Sequence, residues 1–235
     1  MIDPVIKKRY QVIKERYGGL QERLRDPLLT VLTILLALIL FVIAPLHAAG
    51  AIRSSVGYAS AIVVIVAVLL QSGISTALML MLIGLGLSTW ATVLRLQQPS
   101  SFDLYLDASA WILLGLALSW VVARAVFAPG RITYHRVMGA ILLYLAIGLT
   151  FVALYTFVGL LIPDAFSGMA ITDTPTLAST VIYFSFGTLT TAGSGDIAAM
   201  HPIARSLSNV EAMIGQLYPA TLLARLVTLE IEDEK

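Results

Sequence analysis

The chain has 235 residues, 58% of them apolar and only 12% charged, with a net charge of +1 and a mean hydropathy of +0.89. Residues 54–94 and 137–163 hold no Lys, Arg, Asp or Glu, whereas soluble domains carry about a quarter charged residues and about 20 apolar residues suffice to cross a bilayer. Together these features exclude a soluble enzyme and a protein recruited to nucleic acid by a basic field, and the absence of cysteine excludes disulfides and thiolate metal sites.

Residues 1–27 read as a cytoplasmic amphipathic helix. Ile6, Ile13, Tyr17, Leu20 and Leu24 recur at helical spacing, surrounded by Lys7, Lys8, Arg9, Lys14, Arg16, Arg23 and Arg25. Such a face lies on anionic lipid or packs on its own protein, and the pattern leaves both open. No signal peptide is expected, because the first apolar run begins only at Leu28, after the Asp26-Pro27 boundary, and is long enough to span.

Residues 28–130 form the next unit, a four-helix membrane domain with spans at about 28–46, 56–70, 74–94 and 104–127. Gln71-Ser72-Gly73 breaks the long uncharged run, and Ala128-Pro129-Gly130 closes the fourth span. Gly84 and Gly86, with Ser75, Thr76 and Ser88 nearby, suit close helix packing. A voltage sensor needs several arginines on one helix, each worth about 2.3 kcal/mol per 100 mV. The fourth span has Arg124 alone, with Arg131 already beyond Pro129, so no such ladder exists. Asp107, near the start of this span, is expected at the outer interface. His47, His135 and His201 lie in separate loops, so no metal site is expected, and Gly84-Leu85-Gly86 lacks the context of a nucleotide fingerprint.

Residues 131–229 contain a fifth span at about 137–162, a re-entrant segment and a sixth span at about 203–229, before an acidic tail at 230–235. Seven basic residues before the first span place the amino terminus in the cytoplasm, and six crossings return the carboxyl terminus there. Residues 174–195 are uncharged yet carry nine Ser or Thr and three Gly. Non-helical backbone at membrane depth survives only inside protein or against water. The segment therefore reads as a half-helix over about 176–189 followed by an extended return, with Asp173, Thr174 and Pro175 as its cap and first-turn proline. Alternating glycines in the return let successive carbonyls face one side, where they replace an ion's hydration shell.

The return, Thr190-Thr191-Ala192-Gly193-Ser194-Gly195-Asp196, resembles the selectivity filter of potassium channels, whose pattern is Thr-Thr-Val-Gly-Tyr-Gly-Asp. The resemblance covers about 137–229 and implies an all-α tetrameric membrane protein of six transmembrane helices plus a re-entrant pore helix and filter loop. It implies a bacterial cation channel in the plasma (inner) membrane, not an enzyme, with a homotetramer and membrane lipids as partners. K⁺, or alternatively Na⁺ and K⁺ together, would permeate, with no cofactor and no metal beyond the permeant ion. It further implies that Tyr183, Phe184 and Glu211 support the pore helix and that Asp196 stands at the filter mouth. Gly215 matches the family's hinge glycine, and Pro219 leaves the Gly215 carbonyl without its helical donor, a bend suited to a gate. Gln216 would face the cavity, while Glu211 would pair with Thr188, Thr190 or a neighbouring Arg205. Ala192 and Ser194 depart from the pattern. Serine removes the aromatic wedge, which leaves the outer carbonyl rings to widen, fill with water or find another support. A non-conducting scaffold or a transporter subunit is the reading from other classes.

Overall fold

The computed structural model describes residues 29–52, 75–97, 101–127 and 134–233. The expected amino-terminal amphipathic helix and the expected span at 56–70 lie outside these residues. The first described helix, α1 (Leu29–Ala48), follows its apolar run and contains a π-helical turn at Ile39–Ile43. Helix α2 covers Ser75–Gln97, α3 covers Ser101–Val126 and α4 covers Tyr134–Leu161. Strand β1 (Phe166–Ser167) leads to α5 (Leu177–Leu189), and β2 (Ala198–Ala199) leads to α6 (Pro202–Asp233).

Among the described residues, three helices are long and apolar enough to cross a membrane: α1, α3 and α4. Helix α2 offers a shorter apolar stretch, Met79–Arg95. Helix α6 carries Arg205, Ser206, Ser208, Asn209, Glu211 and Gln216 in its first half. It is continuous through Pro219 and runs past the expected end at 229.

Two hydrophobic clusters hold these helices together. One joins α1, α3 and α4 through Leu32, Leu36, Leu118, Val122, Leu142 and Ala146. Gly84 brings α2 close to α3, because a Cβ there would stand 2.7 Å from the Leu114 side chain; Gly86 faces open space and has no such role. Gly115 does the same between α3 and α4, against Thr150. Ser88 donates to the Asp107 carboxylate (2.9 Å), which places this half-buried acid between α2 and α3. Asp103, fully buried one turn earlier, pairs with Arg95 at 3.0 Å.

The second cluster centres on Tyr155, Phe166, Phe184 and Val181, where α4, α5 and the loops flanking them meet. Its aromatic rings meet edge to face, with Tyr155 and Phe184 centroids 4.8 Å apart, the arrangement that ring quadrupoles favour. Antiparallel pairing of β1 with β2 ties the chain leaving α4 to the chain entering α6. The end of α4 and the start of α6 therefore lie on one side. Helix α5 dips between them and returns, and its 13 residues reach only about 20 Å, short of a bilayer's core.

Candidate functional site: a backbone-lined loop at the end of a half-helix

Helix α5 begins at Leu177 rather than at Thr176, and its capping differs from the sequence expectation. Thr176 occupies the N-cap without a side-chain bond. Asp173, three residues before the cap, instead lies 3.7 Å from Arg95. Pro175 precedes the cap and so does not occupy the first helical turn.

At its other end the helix passes into the return loop through a set of backbone bonds. The Thr190 amide donates to Phe186 (3.0 Å) and the Thr191 amide to Thr188 (2.9 Å). The Gly193 amide then reaches back to the Gly187 carbonyl at 2.9 Å. Gly187 makes this approach possible, since a Cβ on it would stand 3.3 Å from the Gly193 carbonyl carbon. The loop is stitched directly to the helix, backbone to backbone.

Within the loop, Thr191, Gly193 and Gly195 have φ values of +59°, +77° and +31°. Ala192 and Ser194, between them, stay at negative φ. Regular alternation of left-handed and ordinary conformations turns successive carbonyls to the same side, which an ordinary strand does not do. A β-branched threonine at positive φ is strained, so the surrounding bonds must hold it. Residues 190–193 and 195–196 are exposed on the isolated chain, while the Ser194 carbonyl accepts from the Asp196 and Ile197 amides within the loop.

Ser194 is the exception. It is buried, and its hydroxyl donates to the Ile197 carbonyl at 3.0 Å. It borders an open groove of about 350 Å³, lined also by Phe184, Thr188, Ile197, Arg205, Ser208 and Asn209. Small as it is, the serine braces the loop on itself and borders the groove without filling it. Asp196 is exposed at the end of the strip, and its amide bonds to the Ser194 carbonyl. Gly168, at φ +76°, packs on the Asp196 carbonyl so closely that a Cβ would stand 2.0 Å from the oxygen.

The other predicted residues distribute as follows. Phe184 is buried against Tyr155 and Phe166, whereas Tyr183 is half exposed on the opposite face of α5. Glu211 is fully buried and bonds to the pore helix as expected, but through Ser185 and not through Thr188 or Thr190. Thr188 and Thr190 donate to carbonyls of their own helix, and Arg205 donates to Ala199. Glu211 accepts instead from Tyr155 of α4 and Ser185 of α5, each at 2.6 Å. Sequence reasoning missed both partners. Ser185 sits among aromatic residues as a lone hydroxyl, which is a usable signal; Tyr155 lies 56 residues from Glu211 and carries none.

Gly215 is buried, and a Cβ there would stand 1.7 Å from the Leu189 carbonyl oxygen. The glycine therefore has a packing reason independent of bending: it lets α6 touch the end of α5. The same Leu189 carbonyl accepts from Tyr144 (3.3 Å), and one turn below, Tyr218 donates to Ala140 (2.8 Å). Gln216 is exposed on the chain, beside a row of exposed apolar residues at Val210, Met213 and Leu217. That row is left for lipid or a neighbouring copy to cover.

No group of three potential metal-ligating side chains occurs among the described residues. Residues 140–231 match a family model described as ion channel, a stretch that begins in α4 and ends in α6. The chain matches no curated protein and no solved structure.

Proposed function

We propose that the chain, whose residues 140–231 are a pore domain of the potassium-channel type, assembles as a homotetrameric cation channel with 190–196 as its ion filter. The alternation of positive φ at Thr191, Gly193 and Gly195 on an exposed strip carries this reading. One chain supplies one carbonyl per level, so a closed ring of oxygens needs several copies around an axis. The row at Val210, Met213 and Leu217 gives those copies an apolar surface to share. Helix α5 ends at the filter with its carbonyl terminus, whose partial negative charge favours a cation. Asp196 stands at the outer mouth, Phe184 and Glu211 support the pore helix from behind, and Tyr183 does so from its exposed face. Gly215 and Pro219 lie where the inner helix would bend, and Gln216 faces the ion cavity. Both termini lie in the cytoplasm of a bacterial inner-membrane protein with six crossings, and the basic amino-terminal segment contacts anionic lipid.

K⁺ is the ion that the filter pattern favours. Passage of both Na⁺ and K⁺ is the second reading, supported by the open groove beside Ser194, because carbonyl rings without a wedge can adapt to a smaller ion. Bi-ionic reversal potentials of the reconstituted protein separate the two, measured before and after Ser194→Tyr. A K⁺-selective wild type supports the first reading. A reversal near zero that moves toward K⁺ when tyrosine fills the groove supports the second. An absence of current from folded, assembled protein refutes both.

A further inference from the structure

The filter's position depends on the pore helix, because the Gly193–Gly187 bond and the bonds at Thr190 and Thr191 fasten it there. No large side chain of the filter itself reaches back to that helix, since Ser194 bonds only within the loop. What fixes the pore helix lies on its far side. Ser185, two residues before Gly187, is fully buried with its hydroxyl 2.6 Å from Glu211 Oε1 and 3.0 Å from the Gly148 carbonyl. Tyr155 brings its hydroxyl to Glu211 Oε2 at 2.6 Å, and its ring packs edge-on to Phe184 and Phe166. One carboxyl thus links the inner helix to both the outer helix and the pore helix.

Stability alone gives no reason for this arrangement. Burying a carboxyl is costly, and an apolar residue of similar volume often serves a core as well or better. What a fully bonded polar group adds is directional: it fixes separations and angles that apolar contacts leave loose.

We propose that Tyr155, Ser185 and Glu211 are positioning residues for ion selection, a bridge that sets the filter carbonyls by fixing the pore helix from behind. The proposal rests on the channel reading above and adds, to the part Ser194 plays, a determinant of selectivity outside the filter's own side chains.

The donors and acceptors suggest how to test it. Ser185 has one hydroxyl proton and two acceptors within reach. Glutamine at 211 keeps an oxygen for Tyr155 and adds an amide donor for Ser185, whose own proton then serves Gly148. The full chain, reconstituted in lipid, is compared with Glu211→Gln, Glu211→Leu, Ser185→Ala and Tyr155→Phe. Permeability ratios among K⁺, Rb⁺ and Na⁺ are read from bi-ionic reversal potentials, beside the thermal stability of each assembly. Tyr155→Phe, Ser185→Ala and Glu211→Leu are expected to change at least one ratio by about threefold or more, and Glu211→Gln to stay within about twofold of wild type. A purely stabilising bridge would lower the melting temperature and leave the ratios of conducting variants unchanged, and that result overturns the proposal. Should Glu211→Leu fail to assemble, Tyr155→Phe, which removes one oxygen, still decides. If wild type conducts while the ratios do not move, the bridge fails and the channel stands; if assembled wild type carries no current, the channel reading fails and the bridge with it.

Discussion

Replacing Gly215 with alanine separates two explanations for the same glycine. As a flexible hinge alone, it would cost helix stability, and alanine would restore about 1 kcal/mol of it. The structure adds a contact that runs the other way. A Cβ at 215 would lie 1.7 Å from the Leu189 carbonyl oxygen, 2.7 Å from its carbon and 3.2 Å from its Cα. Carbon and carbonyl oxygen ordinarily approach to about 3.3 Å, so α6 and the end of α5 would have to part by roughly 1.6 Å. The obstacle is backbone, already bonded to Tyr144, and cannot rotate away as a side chain could. Overpacking of this kind costs about 1–3 kcal/mol, with this site near the upper end, so the helix-propensity gain leaves a net loss of about 2 kcal/mol. Thermal stability of the purified assembly, followed as a half-life at fixed temperature because membrane assemblies often unfold irreversibly, reads the sign directly. Gly215→Ala should shorten that half-life and disturb conduction through displacement of the filter's base. An alanine variant at least as stable as wild type, with unchanged conduction, would refute the packing argument.

Other substitutions probe the elements around the site. Arg95→Ala should destabilise the assembly by roughly 2 kcal/mol, because it breaks an ion pair whose carboxylate, on Asp103, is buried while the arginine is part-exposed. A double-mutant cycle with Asp103→Asn should show non-additivity well outside the error of independent sites, and simple additivity would contradict the pairing. Gly168→Ala should lower single-channel conductance, since its Cβ would press on the Asp196 carbonyl at the filter mouth. Gly50→Ala is the control: it has a similar φ of +73° but open space around the Cβ, so it should cost only backbone strain and leave conductance unaltered.

The sequence was most legible where local chemistry dictates local structure. Long apolar runs marked α1 and α4, and a shorter one between Asp107 and Arg124 marked α3, because the lipid-facing length of a helix must be apolar and few other features mimic that. The glycine alternation at 193 and 195 marked the loop for the same reason, since φ above zero is a local property of those residues. The sequence did not reveal that Thr191 shares this conformation; a β-branched residue gives no sign of it, and only the bonds around the loop impose it. The capping proposal around Asp173 erred because an acceptor near a helix start can be drawn to a distant cation, here Arg95, and nothing local records that. Long-range partners were the general blind spot. Glu211 stood out as a carboxyl in a span, yet its partners Tyr155 and Ser185 come from two other helices, and choosing among several nearby hydroxyls requires the helices' rotation and depth. Gly215 could be read as a hinge or as a contact, and only the approach of Leu189 reveals the second.

The central claim is that residues 190–196 of several copies converge on an axis and hold cations by their backbone carbonyls. Crystals of the purified assembly grown with Tl⁺, a K⁺ mimic with strong anomalous scattering, test it most directly. The account predicts anomalous peaks in a row on the symmetry axis, level with the carbonyls of Thr191 to Gly195. Loops that stand apart from any axis, or an axis lined by these carbonyls with no Tl⁺ upon it, would contradict it.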